Sequence, residues 1–337
     1  MQPIKTGLLA YGMSGRIFQA PFLNVHPGFE LRAVVERHEK KAIESYPDIN
    51  SYSSVEELLN DEDLELVIIN TPNYTHFDFA RKALEAGKHI LIEKPIAASA
   101  GEVKTICDLG RQVGKHVMVY QNRRWDSDFL SVKEVIESGR LGQLIEVHFR
   151  FDRYKTALSP KVFKESKSMP PNGLAYDLGP HLIDQAISLF GRPVAFKKTT
   201  GIYREGSEVV DYFHFHLSYP HQLNVYLTSG LLIAEPQAAF IIHGTAGSYI
   251  KNRCDVQEAQ LDTAKSPADA AYGIEPAGSE GKLVIMGLDN QKSIEQTPSL
   301  KGNYLHLFEV VYQTIRHDAL YPISEEHIAW QIELLEK

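Results

Sequence analysis

Ile4-Lys5-Thr6-Gly7-Leu8-Leu9-Ala10-Tyr11-Gly12-Met13-Ser14-Gly15-Arg16 passes from an apolar strand through a glycine turn into the start of a helix. That order matches the dinucleotide fingerprint G-x-G-x-x-G, in which glycines let the backbone approach a pyrophosphate lying on a helix N-terminus. Here the pattern reads Ala10-x-Gly12-x-x-Gly15, with the first glycine replaced. Gly12 still allows close approach to phosphate, and Gly15 still allows close packing of helix on strand. Many tight turns look similar, so the motif gains weight only from what surrounds it.

Further along, Phe29 to Val35 is a second apolar strand that ends in Glu36-Arg37-His38. Glu36 follows Gly15 by 21 residues, about the spacing of an acid that accepts the adenosine ribose hydroxyls. Leu64 to Asn70, His89 to Ile92 and His116 to Tyr120 read as buried strands, while Thr75 to Ala86 and Ala98 to Val113 have helical periodicity. Strands alternating with helices predict a doubly wound parallel sheet, which binds ligands at the carboxyl ends of its strands. Those ends carry Gly12 to Arg16, Glu36 to His38, Thr71 to His76, Glu93 to Pro95 and Gln121 to Arg124.

The pattern changes after Trp125. A helix over Phe129 to Glu137 precedes a strand over Leu144 to Phe151. Alternating segments follow at Phe196 to Tyr203, Asp211 to Tyr219, Leu223 to Leu231 and Ala239 to His243, the signature of a largely antiparallel sheet. The polar 159–173 stretch reads as a loop, residues 255–300 as a long excursion, and Leu305 to Arg316 and Glu325 to Leu335 as helices. The expected organisation is an α/β chain with a Rossmann domain over 1–123 and an α+β domain with a large open sheet over 124–337.

With 43 acidic and 35 basic side chains, the net charge is −8. No basic stripe recommends a nucleic acid or an anionic membrane as partner. No apolar run reaches the roughly 20 residues of a membrane span, and the N-terminus lacks a signal-peptide core. Cys107 and Cys254 form neither a metal-binding pair nor a disulfide framework, which fits a reducing cytoplasm. His214 and His216 share one face of a strand, but no third ligand has supporting spacing, so no metal is expected.

One more segment bears chemistry: Leu174-Ala-Tyr-Asp-Leu-Gly-Pro-His181, with Asp184 three residues on. In a continuous helix, Asp177, His181 and Asp184 would project from one face, and a carboxylate beside an imidazole is an acid/base unit.

Taken together, the glycine turn, Thr71-Pro72-Asn73 with His76, Glu93-Lys94-Pro95, and Asp177-x-Gly179-x-His181-x-x-Asp184 resemble the Gfo/Idh/MocA family of NAD(P)-dependent oxidoreductases. Within it, Gln121 to Asp126, Phe151 to Tyr154, Asp211 to His214 and Ile242 to Tyr249 are most similar to scyllo-inositol dehydrogenases and related polyol dehydrogenases. The resemblance implies hydride transfer between the coenzyme and a polyol or sugar, with Lys94, Asp177 and His181 as the catalytic set and a cis peptide before Pro95. It implies a coenzyme site made of Tyr11, Gly12, Met13, Ser14, Gly15, Arg16, Glu36, Arg37, Thr71, Pro72, Asn73, His76, Glu93, Lys94, Gln121 and Arg123. Lys94, Arg153, Tyr154, Asp177, His181 and Tyr272 would meet the substrate, although Arg123, Arg124, Asp152, Arg153 and Tyr154 read equally as a salt-bridged hinge. Family members associate through the open sheet, so a homodimer or homotetramer is implied. NAD is the expected coenzyme, because Glu36 would repel a 2′-phosphate; NADP is the alternative if Glu36 turns away and Arg37 and His38 pair with that phosphate. Competing activities are an NAD-retaining glycoside hydrolase, a non-catalytic cofactor-binding regulator, and a reductase of another carbonyl.

Overall fold

The computed structural model describes residues 2–161, 165–168 and 171–336. The chain divides into two compact units. One takes in the chain up to Asn122 together with Glu258–Tyr272 and Tyr304–Ala329; the other takes Arg123–Gln257, Gly273–Asn303 and the chain from Trp330 on.

In the first unit, β1 (Ile4–Leu8), β2 (Phe29–Val35), β3 (Asn50–Tyr52), β4 (Leu66–Ile69), β5 (His89–Glu93) and β6 (Val117–Tyr120) form one sheet. Its order is β3-β2-β1-β4-β5-β6 and every pairing is parallel. The order reverses at β1, so the crevice of the doubly wound fold opens beside the glycine turn. Strands covered on both faces read as continuous apolar runs, and Leu66, Val67, Ile68 and Ile69 of β4 are all fully buried. The helix Ala100–Val113 is capped at its start: Glu102 N–H donates to Ser99 Oγ (3.2 Å), and the Glu102 carboxylate reaches back to accept from Ala98 N–H (2.9 Å). It ends at Gly114, whose left-handed conformation (φ 66°) suits a residue without Cβ.

Residues 258–272 and 304–329, expected in the second domain, pack with the first unit. Aromatic packing is the reason. Phe308, on the helix Tyr304–His317, stacks on Phe22 (5.2 Å between centroids) and meets Phe29 edge-on (6.1 Å). Each such ring stabilises by about 1.5–3 kcal/mol when buried.

In the second unit, β7 (Leu144–Arg150), β8 (Ala195–Gly201), β9 (Tyr212–Ser218), β10 (Asn224–Gly230), β11 (Phe240–Gly244), β12 (Gly247–Lys251), β13 (Gly281–Met286) and β14 (Lys292–Thr297) form an eight-stranded sheet. Its order is β14-β13-β12-β11-β7-β10-β9-β8, antiparallel except where β10 runs parallel to β7. Alternation sets its two faces. Phe213, Phe215 and Leu217 of β9 are buried, while His214 and His216 lie on the other face, stacked with His148 on Tyr226 at 4.7–5.7 Å. The expected excursion over 255–300 holds regular structure: a short helix at Gln257–Asp262 and the β13–β14 hairpin. Its polar outer strand (β14, largely exposed) gave no alternation to read. Of the 159–173 stretch, residues 162–164 and 169–170 lie outside the described residues; the rest carries turns and bends. Among the described residues, no helix is long and apolar enough to cross a membrane.

Candidate active site

The glycine turn is held by a side chain that the sequence reading passed over. Asn70, at the end of β4, accepts from Ala10 N–H (3.0 Å) and donates to Ala10 carbonyl (2.8 Å), completing a strand-like pair where the first fingerprint glycine is missing. The two remaining glycines have different jobs. A Cβ on Gly15 would lie 2.2 Å from the Ala10 carbonyl oxygen, so helix and strand approach too closely for any other residue. A Cβ on Gly12 would meet nothing within 4 Å, so that side of the turn is open. Tyr11, Gly12, Met13 and Arg16 are partly or fully exposed there.

The end of β5 is tied to the same turn. Glu93 accepts from Ser14 Oγ (2.6 Å) and Gln19 Nε2 (3.0 Å). Burial of this carboxyl raises its pKa above the usual carboxylate range, against the opposing pull of the Ser14 bond and the Lys94 charge. The Lys94–Pro95 peptide is cis, as the resemblance implied. Thr71, Pro72 and Asn73 follow β4, and His76 behind them is fully buried. Its ring nitrogens lie 2.7 Å from Pro95 carbonyl and 2.9 Å from Thr71 carbonyl. Burial lowers its pKa. His76 thus links the β4 and β5 ends rather than facing a ligand. Gln121, after β6, is also buried.

Glu36 is not posed to greet a ribose. One carboxylate oxygen accepts from Lys41 N–H (2.8 Å) and Ala42 N–H (3.1 Å), the other from Ser51 Oγ (2.7 Å), and the residue is 7% exposed. Arg37 and His38, next to it, are exposed.

In the second unit, the Asp177–His181 helix is broken. One short helix is Leu174–Asp177 and the next is Gly179–Phe190, with Leu178 (φ −104°, ψ −25°) between them. Pro180 has no N–H to give the Tyr176 carbonyl, so the ladder lapses there. Asp177 is exposed on the first piece; His181 and Asp184 are buried on the second. Asp184 turns to Arg124 in a two-point ion pair (2.7 and 2.8 Å), a positioning contact for the His181 helix. Arg123 pairs with Asp126 (3.3 Å), and its guanidinium lies over the Phe151 ring, as do those of Arg153 (5.0 Å each) and Arg253 (4.1 Å). Arg253 escaped the sequence reading; no motif marks it. Arg150 rather than a ligand holds Asp152 (2.7 Å). Tyr154 is 64% exposed, whereas Tyr272, in the first unit, is 2% exposed and packs edge-on against Phe22.

A family model for oxidoreductases with an NAD-binding Rossmann fold matches residues 4–121, and one for the GFO/IDH/MocA C-terminal domain matches residues 129–250. The chain belongs to the Gfo/Idh/MocA family. An oxidoreductase of Schizosaccharomyces pombe is 37% identical to it, over 97% of this chain and 94% of the relative. A scyllo-inositol 2-dehydrogenase (NADP(+)) of Bacillus subtilis is 35% identical, over 96% of this chain and 89% of the relative. Among solved structures, yvaA of Bacillus subtilis superposes with a TM-score of 0.93 at 33% identity, covering 99% of this chain and 96% of that one. An oxidoreductase from Bacillus cereus gives 0.89 at 32%, covering 99% and 95%.

As in other Gfo/Idh/MocA proteins, a nicotinamide dinucleotide is the implied cofactor, and the residues fit it. The open side of Gly12 and the tight helix–strand approach at Gly15 are what a pyrophosphate laid against the start of a helix requires. The residues missed in sequence, Asn70, Gln19, Ser51 and Arg253, all support others from behind. Only Asn70 carried a hint, as a polar residue closing an apolar strand.

Proposed function

We propose that the protein is an NAD(P)-dependent dehydrogenase acting on a secondary alcohol of a polyol or sugar, with an inositol-type substrate favoured. The observation that carries the reading is the β5 end. Glu93 is locked to the glycine turn by Ser14 and Gln19, which fixes the adjoining Lys94 relative to the site of the pyrophosphate. The 35% identity to a scyllo-inositol dehydrogenase supports the substrate class.

Gly12 to Arg16 would hold the pyrophosphate and Lys94 the nicotinamide ribose; when bound, the coenzyme accepts or returns a hydride. A bare alcohol is too weak an acid to lose its proton unaided as its carbon loses hydride. His181 takes that proton from the hydroxyl oxygen, Asp177 aids as acceptor, and the Lys94 charge stabilises the developing alkoxide. In reduction His181 returns the proton.

A screen of inositols, other polyols and aldoses with both coenzymes, read by absorbance of the reduced nicotinamide, tests the activity. His181→Ala is expected to lower kcat by roughly 100- to 10,000-fold while coenzyme Kd changes little, and to remove the acidic limb of the pH–rate profile for oxidation. A variant that keeps near-wild-type kcat and the same limb would move the base to Asp177 or a water it holds. We further propose that the chain self-associates through the eight-stranded sheet's face bearing His148, His214, His216 and Tyr226, and acts in the cytoplasm. Light scattering that finds only monomer at working concentration would overturn the first of these.

A further inference from the structure

Resting on the dehydrogenase reading above, we infer that the substrate carries an anionic group, a carboxylate or a phosphate ester, which Arg153 receives beside the fixed positive charge of Arg123 and Arg253. The case begins at one ring. Phe151, just past β7, has three guanidinium groups over it: those of Arg123 and Arg153 at 5.0 Å from its centroid and that of Arg253 at 4.1 Å. Arg253 is held in two further ways, over the Phe240 ring (5.2 Å) and by donation from Nη2 to the Arg150 carbonyl (3.1 Å). Guanidinium groups gathered round one ring repel one another, so counter-charge is needed. Asp126 supplies it to two of them, at 3.3 Å from Arg123 and 3.6 Å from Arg253, and Asp128 stands 4.0 Å from Arg253. Burial, with Asp255 adding its repulsion, raises the Asp126 carboxyl well above the usual range, which thins that counter-charge. Asp152, the neighbouring acid, is taken by Arg150 (2.7 Å). Among the described residues no carboxylate pairs with Arg153, and Arg153 is exposed.

The ring lies next to the proposed base. Asp184 and Gln185 follow His181 by three and four residues on one helix, so they share its face. Asp184 pairs with Arg124 (2.7 and 2.8 Å), and Gln185 Nε2 donates to the Arg123 carbonyl (3.1 Å). The contact of Arg123 with Phe151 therefore sits beside that helix face. The chain leading on from Arg153 is basic as well. Residues 153–168 hold five bases and one acid, in a protein of net charge −8. Lys155, Lys161 and Lys167 are exposed and, among the described residues, pair with no carboxylate. The one acid, Glu165, turns to the buried Arg204 (2.8 Å). Glu208, from outside the stretch, meets only its far end, where it accepts from Lys167 N–H (3.4 Å) and Ser166 Oγ (3.5 Å). An acidic protein that leaves such a stretch uncompensated draws anions toward it. A guanidinium binds carboxylate or phosphate in two-point fashion and gains little from a neutral hydroxyl.

The test compares matched pairs: glucose with glucuronate and with a glucose phosphate, and an inositol with an inositol monophosphate, each with both coenzymes. The acidic member is expected to show kcat/KM at least about tenfold above its neutral partner, the effect of one charge-assisted contact, and to lose that advantage as salt is added. The pair with the larger ratio tells carboxylate from phosphate. Arg153→Gln should cut the ratio by about 10- to 100-fold, and Arg153→Lys, which keeps the charge without the fork, by less. Lys155→Gln combined with Lys161→Gln should flatten the salt dependence. Equal kcat/KM within every pair, or equal losses for both members in Arg153→Gln, as a purely structural stack on Phe151 would give, would each overturn the inference. If no pair turns over, titration into the NADH and NADPH complexes, followed by nicotinamide fluorescence, reads the same preference from binding alone. Turnover or binding of the neutral members alone removes only the anionic group, whereas a protein that binds neither coenzyme removes the dehydrogenase as well.

Discussion

The ends of β2 and β5 are built alike and differ in what they are built against. Each closes a parallel strand with glutamate followed by a cation, Glu36-Arg37 and Glu93-Lys94. In both, the carboxylate is held by donors of the protein's own. Glu93 reaches across the sheet to side chains of another element, Ser14 and Gln19, so it couples Lys94 to the glycine turn. Glu36 takes two backbone amides of the segment just after it and the Ser51 hydroxyl, so it shapes only its own corner. A strand-end acid in such a sheet is thus assigned by its donors rather than by its spacing from a glycine.

The comparison is most exposed at the cations. Lys94→Ala is expected to lower kcat by about 100- to 1,000-fold, as for loss of one group stabilising an oxyanion, and to weaken coenzyme binding as well. Steady-state kinetics with a coenzyme titration would check it; a change confined to coenzyme affinity would make Lys94 a binding group alone and erase the contrast.

The two glutamates should part next. Glu93→Ala leaves the Ser14 and Gln19 donors without their acceptor and should cost about 1–3 kcal/mol in chemical unfolding. Its pH signature has a definite sign. Because the folded state raises the Glu93 pKa, its contribution is fully present below the ordinary carboxylate pKa and is lost as pH rises through the folded value. Glu93→Gln should therefore show a Tm that falls less than the wild type's over that rise. Parallel Tm curves would mean that the charge is not penalised there.

Smallest of all is the effect expected at β2. Glu36→Ala should cost about 0.5–2 kcal/mol, the scale of a lost helix cap, and Glu36→Gln less. Denaturant midpoints would show it. A loss in Glu36→Ala as large as that in Glu93→Ala would say that the β2 corner is tied into the wider core after all.

Much of this molecule was legible before any coordinates. Runs such as Leu66 to Ile69 declared buried parallel strands, the periodicity of Ala98 to Val113 declared a helix, and the alternation over Asp211 to Tyr219 declared a sheet face, because period is set within a few residues. The strand-end positions of Gly12, Glu36, Lys94 and the residues after Asn70 followed from the same local code. Three things did not follow. Helical spacing placed Asp177 and His181 on one continuous face, but Pro180 breaks the ladder between them. The β13–β14 hairpin was hidden by an exposed outer strand whose polar residues carry no alternation. The partners of Glu36 and Glu93 were invisible as well, since Ser51 lies 15 residues from one and Gln19 lies 74 from the other. The sequence by itself determined which elements form and which residues arrive at the strand ends, because those depend on neighbours along the chain. Only the tertiary structure decided which way each carboxylate faces, because a buried charge goes to whichever donors the packed fold brings within reach.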